Sequence, residues 1–255
     1  MMMLLLSAAL LFPSASVPRV GFYVGNGTSS LDAFYSTLHV AAAHAFGGTG
    51  SYVMSNLTEV DVQGLKPSAF DVVVFPGGSG NGQSEAIGPV GISALQAFVK
   101  AGRGYIGTCG GAFLALQHVK FYGDPAPPTQ EPWNRGHGDV KVEFTAQGLT
   151  QLDLPKGSYG GNLTIMYWQG PIVKTSDFTK YAPAVKPLAY FRTEIHSGQP
   201  NKTTGEMVNT PAVTSLDGYG GGTGRVVLNS PHPELTPNVP AIYAGELVWV
   251  THRER

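Results

Sequence analysis

Cys109 is the one cysteine of the chain and stands in Gly107-Thr108-Cys109-Gly110-Gly111. A single thiol cannot staple a chain to itself, so it is either a small buried side chain or a nucleophile. The flanking glycines favour the nucleophile. They read as a strand that turns sharply into a helix, the arrangement that lifts a reactive atom into solvent reach. A thiol attacks as its thiolate, which the field at a helix N-terminus favours. The backbone N–H of Gly110 then faces a developing oxyanion, and Gly77-Gly78, at the end of the neighbouring strand, offers a second donor. Of the seven histidines, His232 has the best context for a base. It lies in Ser230-Pro231-His232-Pro233-Glu234 at a predicted strand end, and Glu234 can fix the tautomer and orientation of its ring. The set Cys109, His232 and Glu234 implies attack on an amide or ester carbonyl.

The elements that must hold these residues alternate between strand and helix. Arg19 to Val24 is an apolar strand, and Leu31, Phe34, Tyr35, Leu38 and Ala42 recur at helical spacing. Phe70 to Phe75 is continuous and β-branched, as in a parallel strand covered on both faces. Ile92 to Val99 reads as a helix, Tyr105 to Gly107 as the strand entering the Cys109 turn, and Ala112 to Val119 as the helix leaving it. This order predicts an α/β three-layer sandwich around a mostly parallel central sheet. In the middle of the chain, Val140 to Phe144, Leu163 to Trp168 and Pro187 to Thr193 alternate more and predict extra antiparallel strands. Ala212 to Ser215 and Arg225 to Leu228 return to the sheet around a Gly218 to Gly224 loop. Thr236-Pro237 predicts the start of a last helix.

With 255 residues the chain can bury one large core, and a formal net charge of −1 gives no reason to expect nucleic acid or a membrane surface as partner. Residues 1–16 read as a secretory signal: Met1 to Phe12 is apolar, and Ser14-Ala15-Ser16 offers small residues for cleavage. Residues 17–255 then form a single domain. Four Asn-x-Thr sequons, at Asn26, Asn56, Asn162 and Asn201, fit a secreted glycoprotein. The loop holding Trp133, Arg135 and His137 is a candidate substrate cleft. Histidines and carboxylates lack metal-ligand spacing, so neither a metal nor a cofactor is expected.

Four stretches carry a family resemblance: GFYVGNGTS, DVVVFPGGSG, GYIGTCGGAFLAL and GRVVLNSPHPELTP. Together with EPWNRGHGDVKVEF and MYWQGPIV they make the chain similar to the class I glutamine amidotransferase-like superfamily, and most similar to its biotin-protein ligase N-terminal domain group. The resemblance implies a flavodoxin-like sandwich with a nucleophile elbow at Cys109. It implies that Cys109 is nucleophile, His232 base and Glu234 orienting acid. The expected partner is a small-molecule or peptide amide substrate. The chain shows no synthetase domain, so biotin transfer is not expected of it. Two other readings stay open: a non-catalytic binding or regulatory domain of the same fold, and a γ-glutamyl hydrolase-like peptidase.

Overall fold

A computed structural model of the chain describes residues 16–129, 136–173, 184–195, 206–237 and 239–253. Its first half runs β1 (Arg19–Tyr23), α1 (Leu31–Phe46), β2 (Val53–Leu57), α2 (Glu59–Gln63), β3 (Val72–Phe75), α3 (Gly80–Lys100), β4 (Gly104–Thr108) and α4 (Gly110–Phe113). The second half runs β5 (His137–Phe144), α5 (Ala146–Gln151), α6 (Lys156–Tyr159), β6 (Asn162–Trp168), β7 (Val185–Phe191), β8 (Pro211–Asp217), β9 (Arg225–Asn229) and α7 (Pro240–Val250). The strands form one sheet in the order β2-β1-β3-β4-β9-β8-β7-β5-β6. From β2 to β9 neighbours pair parallel, and from β9 to β6 they pair antiparallel.

Alternation explains the layers. On β1, β3, β4 and β9, Val20, Phe22, Val72, Val74, Ile106 and Val227 point into one core, shared with α1 and α7 through Phe34, Leu38, Tyr243 and Leu247. Tyr23, Val73, Phe75, Tyr105, Val226 and Leu228 point into the other, under α2 and α3 through Val62, Ile87, Leu95 and Phe98. Strands buried on both faces have no polar side, hence the unbroken Val72–Phe75 run. The antiparallel strands β5 and β6 lie against one core only: Val140, Val142, Phe144, Ile165 and Tyr167 are buried, while alternate residues face outward.

Three boundaries differ from the sequence reading. Helix α3 begins at Gly80 rather than Ile92, because the Ser79 hydroxyl caps it by accepting from Gly82 N. The glycine-rich run hid this first half, and Gly88 (φ 61°) before Pro89 breaks the helix between them. The helix after Cys109 starts at once, at Gly110, and loosens into a π-helical turn over Leu114–His118. The last helix starts at Pro240, not Pro237. Thr236 serves the preceding loop instead: its hydroxyl accepts from Met166 N and donates to His232 O.

Candidate active site

Strand β4 runs through the middle of the sheet with all five residues buried, and at its C-terminal end the chain must reverse into α4. Cys109 makes that reversal at φ 52°, ψ −106°, a positive-φ conformation that costs a non-glycine residue about 1–3 kcal/mol. Neighbouring strands hold the turn in place. Cys109 N donates to Asn229 O at 2.8 Å on β9, and Gly111 N to Pro76 O at 3.0 Å beyond β3. Glycine is required at Gly110, because a Cβ there would lie 2.4 Å from Gly78 O.

The loop after β9 delivers the second group. His232 N donates to Met166 O at 2.7 Å, which anchors the loop to β6, and a short 3-10 turn over Pro233–Leu235 brings Glu234 back toward the ring. His232 Nδ1 and Glu234 Oε1 are 2.6 Å apart. The other carboxylate oxygen, Oε2, accepts from Tyr243 OH at 2.8 Å, and Tyr243 in turn lies 2.9 Å from Thr108 Oγ1. Because the carboxylate only accepts, Nδ1 carries the proton, Tyr243 donates to Glu234, and Thr108 donates to Tyr243. Burial raises the Tyr243 pKa well above the usual phenol range, with the charges of Glu234 and Glu246 adding to it, so the phenol keeps its proton.

His232 and Cys109 meet over Gly77. A Cβ on Gly77 would stand 2.8 Å from His232 Cε1 and 3.5 Å from Cys109 Cβ, so glycine here supplies the space for both side chains. Burial disfavours the imidazolium of His232. The charges of Glu234 and Cys109 outweigh that and raise its pKa well above the ordinary histidine range. In this conformation the Cys109 sulfur lies 3.3 Å from Trp168 O; it is near enough to His232 to raise the ring's pKa, but no aligned hydrogen bond reaches the buried Nε2 from the described residues.

Cys109, His232, Gly78 and Gly110 line one cavity of about 540 Å³, together with Trp168 and Gln169. Gly78 sits opposite Thr28 in a two-residue bridge in which Ser29 N donates to Gly77 O and Ser79 N to Gly27 O. That pairing leaves Gly78 N–H without an acceptor among the described residues, and Gly110 N–H, first in its helix, has none there either. Gly77 is not among the lining residues; its contribution is space.

The remaining sequence candidates fall at the rim or elsewhere. His137 opens β5 and stacks on Trp168 with ring centroids 4.7 Å apart, at the cavity edge. Trp133, Arg135 and Asn201 lie outside the described residues. Asn26 is exposed in the loop after β1, where its N–H donates to Glu59 Oε1. Asn56 and Asn162 are exposed on β2 and β6. Among the described residues no three His, Cys, Asp or Glu side chains gather as a metal site.

Sequence reasoning did not find Tyr243, Thr108 or Glu246. Glu246 is a fully buried acid on α7, the one charge in Pro240–Val250, and that isolation is a readable signal. Asn229 Nδ2 donates to its Oε2 at 3.1 Å. Burial, opposed by the Asn229 hydrogen bond and aided by the Glu234 charge, raises its pKa to about 8, so it is a neutral acid at neutral pH. Two buried atoms of this pair, Glu246 Oε1 and Asn229 Oδ1, have no hydrogen-bond partner among the described residues. A proton on Oε1 removes the charge from this buried carboxyl and leaves Oε2 to accept from Asn229. A protonated Glu246, accepting from the Asn229 amide, then sits directly behind the Cys109 turn, whose N–H is held by Asn229 O.

Comparison with known proteins agrees with this architecture. Residues 20–128 match the model of a family described as biotin-protein ligase, N terminal. No curated protein matches the sequence significantly. Among solved structures, a GMP synthase subunit from Thermoplasma acidophilum superposes with a TM-score of 0.58 at 12% identity, covering 94% of this chain and 96% of that one. A ThuA-like protein from Bacteroides uniformis gives 0.57 at 15% identity, covering 94% and 95%. PurLQS from Thermotoga maritima gives 0.55 at 11% identity, covering 93% and 98%. With its run of parallel strands from β2 to β9, its elbow at the end of β4 and these neighbours, the chain has the class I glutamine amidotransferase-like fold.

Proposed function

We propose that this protein is a secreted cysteine hydrolase that cleaves an amide or ester in a small molecule or peptide. The observation that carries the reading is the convergence, in one cavity, of a strained cysteine, a histidine backed by buried Glu234 and two backbone N–H groups unpaired among the described residues. In the proposed cycle the Cys109 thiol gives its proton to His232 Nε2, the buried nitrogen without an aligned partner among the described residues. The thiolate attacks the carbonyl carbon, a C–S bond forms, and the oxyanion takes hydrogen bonds from Gly78 and Gly110 N–H. Collapse breaks the C–N or C–O bond, and the leaving amine or alcohol takes the proton from Nε2. Water, deprotonated by the same nitrogen, then attacks the thioester and releases acid and thiol. Glu234 keeps Nδ1 protonated throughout and stabilises the imidazolium, itself held by Tyr243.

The test uses p-nitrophenyl esters and glutamine-containing dipeptides as substrates, with intact-mass spectrometry to trap the acyl-enzyme. Wild-type protein is expected to acquire one acyl group on Cys109 and to lose it with time. Cys109→Ala and His232→Asn are expected to show no turnover. A wild-type protein that acquires no acyl group, and whose thiol reacts with iodoacetamide no faster than free cysteine, would leave the fold as a binding domain.

A further inference from the structure

The two ends of the sheet are β2 and β6, and each carries one of the sequons. Val53 N donates to Pro18 O and Val24 N to Leu57 O, so the odd residues of β2 bond inward to β1. Met54 and Asn56 therefore turn their N–H and C=O groups away from the sheet. On β6 the outward residues are the even ones. Met166 O accepts from His232 N, Met166 N donates to Thr236 Oγ1, and Trp168 O lies against the Cys109 sulfur. Those contacts cover the C-terminal half of β6. Asn162 and Thr164, with the same outward backbone, have no such partner among the described residues.

An open edge is a template for a strand of another molecule, and proteins guard edges with Lys, other charges or Pro. Neither edge strand has any. Val53-Met54-Ser55-Asn56-Leu57 and Asn162-Leu163-Thr164-Ile165-Met166-Tyr167-Trp168 contain no Lys, Arg, Asp, Glu or Pro. Such uncharged, β-prone windows are aggregation hazards when exposed. The charges lie instead on interior strands: Asp139, Lys141 and Glu143 on β5, Lys186 with Pro187 on β7. Asn56 and Asn162 are exposed, and neither side-chain amide has a hydrogen-bond partner among the described residues.

We infer that Asn56 and Asn162 are N-glycosylation sites whose oligosaccharides cover the two open edges of the sheet and keep the protein from pairing edge to edge. The inference rests on the export reading above. In the modification, Asn Nδ2 attacks C1 of an oligosaccharide carried on a lipid diphosphate. The N–C1 bond forms, the C1–O bond to the diphosphate breaks with the electron pair leaving on oxygen, and the amide gives up one proton to base. The threonine at the third position of each sequon is Thr58 or Thr164.

The full chain, expressed in a secretory eukaryotic host, tests this by glycopeptide mass spectrometry and by light scattering on a sizing column. Both asparagines are expected to carry oligosaccharide, and the secreted protein to run as a monomer. The double variant Asn56→Gln/Asn162→Gln is expected to shift to dimers and larger species as concentration rises. Asn201→Gln is expected to stay monomeric, and so is Asn56→Lys/Asn162→Lys, in which a lysine guards each edge without sugar. A double Gln variant retained in cells as aggregate, while the double Lys variant is secreted as monomer, supports the inference equally. An unoccupied Asn56 or Asn162 in secreted protein overturns it, as does a fully monomeric double Gln variant or retention of the Gln and Lys variants alike. A chain that never enters the secretory pathway overturns the export reading first, and the edge inference with it.

Discussion

Replacing Glu246 by Gln tests the buried acid behind the elbow. Its carboxyl titrates at about 8 in the folded chain against 4.5 for the ordinary side chain, a difference worth roughly 5 kcal/mol between the fully protonated and fully ionised limits. The folded state binds this proton more tightly than the unfolded state. The stability the neutral acid confers is thus fully present below about pH 4.5 and is lost as pH rises toward 8. Between pH 5 and 8 the loss is about 3 kcal/mol. The substituted glutamine is neutral at every pH and keeps an oxygen that accepts from Asn229 Nδ2. His232, whose folded pKa is also raised, loses stability in the same direction, through a window beginning near 6.5. That contribution is common to both proteins and cancels in their difference. Urea titrations at pH 5, 6, 7 and 8 are expected to show the two proteins within ~1 kcal/mol at pH 5 and the variant ahead by about 3 kcal/mol at pH 8. In a chain of this size that corresponds to roughly 6–12 °C in Tm. Glu246→Ala is expected to lose stability at every pH, since Asn229 is then left buried with its amide unpaired. Parallel pH curves for wild type and Glu246→Gln would refute the neutral buried acid.

Gly77→Ala places a methyl group 2.8 Å from His232 Cε1 and must push the ring off Cys109. A cost of about 1–3 kcal/mol and a slower iodoacetamide reaction at Cys109 are expected, and an unchanged reaction rate would show that the ring is not held there. Tyr243→Phe removes the donor to Glu234 Oε2 at 2.8 Å. Equilibrium unfolding should register a loss of about 1–3 kcal/mol, whereas a neutral outcome would place the Glu234 charge elsewhere. Glu234→Gln removes the charge that, with Cys109, raises the His232 pKa against its burial, so the imidazolium is lost at lower pH. The alkylation rate of Cys109 at pH 7 should fall by at least ~10-fold, equivalent to about 1.4 kcal/mol, and a pH profile superimposable on wild type would separate Glu234 from the thiol.

What the sequence disclosed, and what it did not, follows from the range of the interactions involved. The Val72–Phe75 run and the Gly107–Gly111 turn were legible because a doubly covered strand and a strained elbow each restrict residue types locally. His232 and Glu234 were legible as a pair because they are two residues apart. Tyr243 was not, since its tie to Glu234 and Thr108 exists only after α7 packs beside β4. The first half of α3 was hidden by the composition of Gly80 to Gly91, where capping and tertiary packing override weak propensity. Pro237 looked like a helix start and was not, because Thr236 is engaged by β6 instead of by the helix.

The arrangement of the polar groups explains how a nucleophile and a base on separate segments keep a fixed relation. Thr108 precedes the nucleophile on β4 and donates to Tyr243 on α7. Tyr243 donates to Glu234, Glu234 holds His232, and His232 faces Cys109 again over Gly77. The chain of hydrogen bonds runs from Thr108 to His232, and packing of the ring against Cys109 over Gly77 completes the circuit, so a shift of the His232 loop relative to the elbow must break a buried bond or that contact. A second tie runs beneath it: Cys109 N is held by Asn229 O, and the Asn229 side chain by Glu246, one turn along α7 from Tyr243. Helix α7 therefore holds the elbow by one residue and the acid by another. In a site whose histidine is 5% exposed, each unmade bond costs the desolvation of a buried group, about 1–3 kcal/mol. That cost makes the network cooperative. Single substitutions at Tyr243 and Glu246 should accordingly be less than additive when combined, since breaking either link releases the same helix from the same elbow.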